Sequence, residues 1–334
     1  MASGYVVAVV GATGAAGSTT LRILEERKFP VRELRCFASA RSEGITLSFR
    51  GDSMRVARVG PEAFKGVEIA FFSAGSAQSR EYAPLAVQAG AVVIDKSSAF
   101  RMDPAVPLVV PEINPHTVKG HSGIVASPNC TTVVTVMPLK PLHDVARLRR
   151  VVATSYQAVS GAGVRGVEEL KRQTLAWARG EVLRAEYFPH QIAFNLIPHI
   201  DSFEENGYTG EELKLVNEIR KILELPDLRI APTMVRVPVF TAHSVALNVE
   251  TEEPVTPGRA RELFAEFPGL RVWDDPGQNR YPMPVVVEGE DDCFVGRIRA
   301  DLSLANGLNF WVTGDQLRKG AATNAVQIAE LLIR

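Results

Sequence analysis

Apolar residues fall into two textures along the chain. In the first part they run almost without interruption over residues 6–10, 34–38, 67–72 and 91–94. Between those runs they return at helical spacing, as over 18–28 with Leu21 and Leu24, and in the stretch carrying Tyr82, Leu85, Ala86 and Ala89. Continuous apolar strands alternating with amphipathic helices predict a parallel sheet covered on both faces, a doubly wound α/β domain. Shorter strands are expected at 108–110 and 124–126. Beyond residue 130 the strands lengthen and partly alternate, at 151–159, 233–239, 243–251, 285–288 and 294–301, with helices at about 164–179 and 211–223. This predicts an α+β domain on a mixed sheet. A final helix over 314–334 is expected to return to the first domain. The predicted domains are therefore 1–129 with 314–334, and 130–313.

Composition narrows the function classes. A net charge of -1 and 7% aromatic residues suit neither a nucleic-acid surface nor an anionic membrane. No stretch approaches the ~20 apolar residues of a membrane span. Cys36, Cys130 and Cys293 are widely spaced, with no CxxC pair, so neither a disulfide framework nor a metal site is expected. A reducing cytoplasm is the natural location.

The loop Gly11-Ala12-Thr13-Gly14-Ala15-Ala16-Gly17 joins the first strand to the first helix. Glycines let backbone approach a pyrophosphate, and a helix start offers free N–H groups. Gly11, Thr13, Gly14, Ala15 and Ala16 are therefore candidate dinucleotide contacts, against the plainer reading of a tight turn that binds nothing. An NAD site usually places a carboxylate after the second strand. Here the segment is Ser39-Ala40-Arg41-Ser42, with no acid before Glu43. Arg41 and the two serines offer donors to a 2′-phosphate, which favours NADP over a merely solvated arginine.

Ser127-Pro128-Asn129-Cys130-Thr131-Thr132 follows a strand and precedes an apolar helical pattern. A cysteine at a helix start has its thiolate stabilised by the dipole, and a thiolate can attack an acyl carbon to form a thioester. Most lone cysteines are instead packed thiols, the reading kept for Cys36 and Cys293.

Together the loop 11–17, the motif around Cys130 and the segment Arg236-Val237-Pro238-Val239-Phe240-Thr241-Ala242-His243-Ser244 resemble the aspartate-semialdehyde dehydrogenase family, in its shorter bacterial form. The resemblance spans nearly the whole chain. It implies reversible NADPH-dependent reduction of 4-phospho-L-aspartate to L-aspartate 4-semialdehyde and phosphate, feeding lysine, methionine, threonine and diaminopimelate synthesis. It implies roles for residues where the motifs match. Cys130 would carry the acyl group, His243 would be the general acid/base, and Gln157 would orient the intermediate. Arg236 would hold the α-carboxylate, Arg101, Lys214 and Asn129 the phosphate, and Glu211 the amino group. Ser73, Gly75, Ser160, Gly161 and Gln316 would join the cofactor site. A homodimer or homotetramer is implied as well. For Glu211 and Lys214 an exposed helical ion pair is the competing reading, and for Gln157 an ordinary polar strand residue. Two readings compete with the whole: N-acetylglutamyl-phosphate reductase, which shares chemistry and plan, and a catalytically silent NADP-binding protein. A glyceraldehyde-phosphate type of dehydrogenase would want an acid after the second strand, and none is there.

Overall fold

The structure, a computed structural model, describes residues 4–333. It divides into two compact units, Met1–Asn129 with Ala321–Arg334, and Cys130–Gly320.

In the first unit, β1 (Tyr5–Val10), α1 (Ala15–Glu26), β2 (Val31–Ala38), a hairpin of β3 (Thr46–Phe49) and β4 (Asp52–Arg55), β5 (Ala57–Arg58), β6 (Ile69–Phe72), α2 (Ser76–Gln88), β7 (Val92–Asp95) and β8 (Ile124–Ala126) follow in order. Six strands form a parallel sheet in the order β5-β2-β1-β6-β7-β8. The uninterrupted apolar run of β1 has a direct cause. Val7 and Val9 point to one face and pack with Leu21, Ile23 and Leu24 of α1. Val6, Ala8 and Val10 point to the other, with Ala83 and Ala86 of α2. Both faces are dry, so no position in the strand can be polar.

The second unit holds α3 (Cys130–Ala146), β9 (Leu148–Gln157), α4 (Val164–Ala178), α5 (Gly210–Leu223), β10 (Arg229–Arg236), β11 (His243–Thr251), α6 (Pro257–Glu266), β12 (Leu270–Val272), α7 (Pro284–Val287), β13 (Cys293–Ala300) and β14 (Gly307–Gly314). The last helix, α8 (Thr323–Leu332), belongs to the first unit. The second sheet runs β10-β9-β11-β14-β13-β12 and is mixed, β9 being parallel to β10 and antiparallel to β11. Its strands alternate. Val151, Ala153, Val245, Leu247, Phe310 and Val312 are buried on the face that α3, α5 and α6 cover, while Thr154, Tyr156, Asn248, Asn309 and Trp311 are half-buried on the other.

Several expected elements differ. Residues 285–288 are no strand: Pro284 starts the short helix α7, since its fixed φ suits a first helical turn. At 108–110 there is only an isolated bridge, Leu108 to Ala126. Residues 237–239 lie beyond β10. The helix expected over 314–334 begins only at Thr323, after a π-helical turn Arg318–Ala322, because Gly314 is the end of β14; Arg334 lies outside the described residues.

Candidate active site

The first unit carries the loop. Gly11 has φ +82°, and a Cβ there would lie 2.7 Å from the Ser73 carbonyl oxygen. A Cβ at Gly17 would stand 2.1 Å from the Gly11 carbonyl oxygen. Both glycines are demanded by the turn itself. Gly14 differs: its nearest neighbour would be 3.5 Å away, an ordinary contact. The fold does not need Gly14 bare, so its open backbone is available to a ligand. Ser73, just after β6, has a buried hydroxyl without a hydrogen-bond partner among the described residues. Ser39, Ala40 and Arg41 are exposed where β2 ends, in a short 3-10 turn. Lys96, which the sequence reading passed over, donates to the Ala16 carbonyl at 3.1 Å and to Thr20 Oγ1, bracing the first turn of α1. Burial pushes its ammonium down to about 7, against the pull of Asp95. Arg101 is buried and donates through Nε to Ser127 O at 3.0 Å and through Nη2 to Lys96 O at 2.7 Å. Asn129 closes this part of the unit.

The second unit gathers most of the remaining candidates at one end of its sheet. Cys130 is the first residue of α3, which packs across β9, β11 and β14. It is partly exposed and in no disulfide. The backbone comes close: a Cβ at Gly320 would lie 3.1 Å from Cys130 Cβ. Gln157 ends β9 and is paired with Arg236 at the end of β10, while His243 opens β11 and pairs with Gly314. Register thus sets the three side by side.

Ala158, the residue after β9, ties two of them together through its backbone. Its carbonyl accepts from Arg236 Nη1 at 2.7 Å, and its N–H donates to His243 Nδ1 at 3.1 Å. Burial lowers the pKa of Arg236, opposed by Glu211, Cys130 and Tyr187. Burial, with the positive charge of Arg236 acting the same way, pushes His243 down to about 3, the backbone of Ala242 opposing. A Cβ at Gly161 would stand 2.9 Å from Arg236 Nη1 and 3.0 Å from His243 Nε2. Gly161 therefore leaves a small clearing before both groups.

Gln157 Nε2 lies 3.3 Å from Ser155 Oγ and 3.5 Å from Glu211 Oε1. Glu211 reaches Lys214 at 3.4 Å, and Lys214 reaches Asp201 at 2.6 Å. The ion pair between Glu211 and Lys214 is real, but Glu211 is buried and linked inward, so it is more than a solvated helix face. Burial raises the Asp201 carboxyl, yet hydrogen bonds from Lys214 and Ser202 N–H outweigh it and hold the pKa low. Lys214 is raised by Asp201 and Glu211 against its own burial. Gln316 Oε1 accepts from Ala242 N–H at 2.7 Å, and its Nε2 donates to Ser160 Oγ.

Asp201, Ala158 and Ala242 were not singled out from sequence. The last two act through backbone atoms, and no side-chain pattern signals that. A buried imidazole and a buried guanidinium around one clearing, with a thiol at a helix start close enough for its charge to act on that guanidinium, are groups that can bind an acyl group with an anionic end and attack its carbonyl.

Residues 6–121 match the family model described as semialdehyde dehydrogenase, NAD binding domain, and 139–319 that described as semialdehyde dehydrogenase, dimerisation domain. The chain is 54% identical over 335 residues to aspartate-semialdehyde dehydrogenase of Aquifex aeolicus, covering 99% of this chain and 98% of the relative. With that of Bacillus subtilis the identity is 48% over 340 residues, covering 99% and 98%. The crystal structure of aspartate semialdehyde dehydrogenase II from Vibrio cholerae superposes with a TM-score of 0.97 at 46% identity, covering 99% of each chain. A second structure of that protein, complexed with ASA, does so with a TM-score of 0.97 at 45% identity. The chain belongs to the aspartate-semialdehyde dehydrogenase family.

Proposed function

We propose that this chain catalyses the reversible, NADPH-dependent reduction of 4-phospho-L-aspartate to L-aspartate 4-semialdehyde and phosphate, through a thioester at Cys130. The observation that carries this reading is the convergence, within one unit, of a thiol at a helix start with Arg236 and an imidazole whose Nε2 has no hydrogen-bond partner among the described residues. The ASA complex of the Vibrio cholerae relative supports the substrate. The names of the curated relatives favour it over N-acetylglutamyl-phosphate reductase and over a silent scaffold.

In this reading Arg236 holds the α-carboxylate with its forked donors and Glu211 faces the amino group. Arg101, Lys214 and Asn129 receive the phosphate. Cys130 Sγ adds to the acyl carbonyl, and its place at the start of α3 favours the thiolate. Gln157 orients the acyl group. NADP is held by residues 11–16, by Ser39–Ser42, and by Ser73, Gly75, Ser160, Gly161 and Gln316. The bare backbone at Gly14 and the unpartnered Ser73 hydroxyl fit such a ligand. When bound, the reduced cofactor supplies the hydride. The first unit is the cofactor domain, and the second carries catalysis and the contact that builds a homodimer or homotetramer. A thiol nucleophile needs a reducing compartment, so the enzyme works in the cytoplasm.

The test is NADP reduction followed spectrophotometrically with L-aspartate 4-semialdehyde and phosphate, with N-acetylglutamate semialdehyde in parallel. Phosphate-dependent turnover on the aspartate aldehyde, abolished in a folded Cys130→Ala variant, is expected. Turnover on neither aldehyde would refute the reading.

A further inference from the structure

The turn that would receive a pyrophosphate carries no charge of its own. From Gly11 to Leu21 there is no acidic or basic side chain, and Gly14, which opens α1, has no side chain to cap the first turn. A pyrophosphate brings two negative charges to that neutral turn.

A cation reaches the turn from the neighbouring part of the sheet. Lys96 directly follows β7, and its N–H continues the ladder onto Phe72 O at 3.1 Å. Its Nζ donates to Ala16 O at 3.1 Å and to Thr20 Oγ1, which itself donates to Ala16 O at 2.7 Å. Both acceptors are neutral, and an ammonium has three N–H groups to place.

Among the described residues no carboxylate is bonded to this ammonium. Asp95, one position earlier, is the acid whose charge acts on it. Its oxygens are engaged elsewhere. Oδ1 accepts from Ser79 Oγ at 2.7 Å and Ser97 N–H at 3.1 Å, and Oδ2 from Ser97 Oγ at 2.7 Å. Consecutive residues of extended chain point to opposite faces, which keeps the two side chains apart. A desolvated cation without a bonded anion is costly to keep, and burial pushes this one down to about 7. An apolar side chain of the same length would carry no such cost.

Building on the cofactor reading above, we propose that Lys96 is the counter-charge for the cofactor pyrophosphate: it stands behind the 11–17 turn, adds a full positive charge to the partial one of the helix start, and is compensated when the dinucleotide binds. The lysine holds the turn through Ala16 O, and its charge acts on the ligand beyond the turn. The carbonyl of Lys96 has a separate task, accepting from Arg101 Nη2 at 2.7 Å. That bond belongs to the backbone, so replacing the Lys96 side chain changes the cofactor turn and leaves the acceptor for Arg101 in place.

The experiment compares wild type with Lys96→Met, which keeps the length of the side chain and removes its charge. Calorimetric titration with NADP should give a Kd about 10-fold weaker in the variant, the order expected for one unit charge acting without contact. Titration with adenosine 2′-monophosphate, which has the 2′-phosphate and no pyrophosphate, should give the same Kd in both proteins. Melts without ligand should show Lys96→Met at least as stable as wild type, because the variant desolvates no cation. A lysine that merely held the turn in shape would give the opposite pattern, a lower melting temperature and equal losses for both ligands. That pattern, or wild-type NADP affinity in Lys96→Met, would overturn the proposal. Failure of the wild-type protein to bind NADP would overturn the cofactor reading and this proposal with it, so the two failures are told apart by the wild-type titration alone.

Discussion

Gly161 is defined by what surrounds it. Its missing side chain keeps Arg236 Nη1 and His243 Nε2 facing open space, at 2.9 and 3.0 Å from where a Cβ would be. The backbone there has no positive φ, so alanine meets no conformational penalty, only crowding by two side chains. Gly161→Ala should therefore fold with near-normal stability yet lose ~10²-fold in kcat/KM, the cost of displacing a reacting geometry by about 1 Å. Steady-state kinetics beside a thermal melt check this. A variant with normal kinetics would mean that the acyl group is bound elsewhere. At this scale the sequence pointed to side chains that the structure sets near one another, Arg236 ending β10, His243 opening β11 and Cys130 starting α3. It was silent on Ala158, whose carbonyl and N–H set the orientation of two of those three.

At the level of elements, the β1–α1 loop separates glycines the fold needs from one it does not need. Gly17→Ala drives a Cβ to 2.1 Å from a backbone oxygen, so the turn must shift, and a loss of ~1–3 kcal/mol is expected from such overpacking. Gly14→Ala meets only an ordinary contact, at a residue with φ -79°. It should leave the melting temperature almost unchanged and weaken NADP binding at least ~10-fold, one good contact's worth of free energy. Calorimetric titration with NADP alone measures it. Wild-type affinity in Gly14→Ala would show that the pyrophosphate sits elsewhere. The first unit was legible because its strands, buried on both faces, leave continuous apolar runs that alternate regularly with amphipathic helices. The second was less so. β14 is Gly-Leu-Asn-Phe-Trp-Val-Thr-Gly, where glycines at both ends and two half-buried polar or aromatic positions hide a central strand. The run Pro284-Val285-Val286-Val287 has strand composition but is helical, since proline at its start and Gly289 just beyond its end confine it to one turn.

For the whole molecule, the buried imidazole links the site to acid stability. In the unfolded chain His243 should titrate near its ordinary value of ~6.5. Folded, burial and Arg236 hold it at about 3. Between those values the unfolded chain binds a proton that the native protein refuses. Stability from this residue is therefore complete above the unfolded pKa and is lost as pH falls below it, at up to ~1.4 kcal/mol per pH unit. The partly exposed Asp201–Lys214 pair works in a different window. Asp201, held low, and Lys214, held high, keep their contribution across neutral pH, and their exposure limits it to ~0.2–1 kcal/mol. From pH 7 to 5 the histidine therefore dominates over that pair. His243→Gln cannot titrate, so its melting temperature should fall less steeply than that of the wild type over this interval, even if it starts lower. Melts of both proteins at matched ionic strength give the difference in slope, which cancels the other histidines. Parallel curves would mean that the ring takes up its proton in the folded protein as readily as in the unfolded chain.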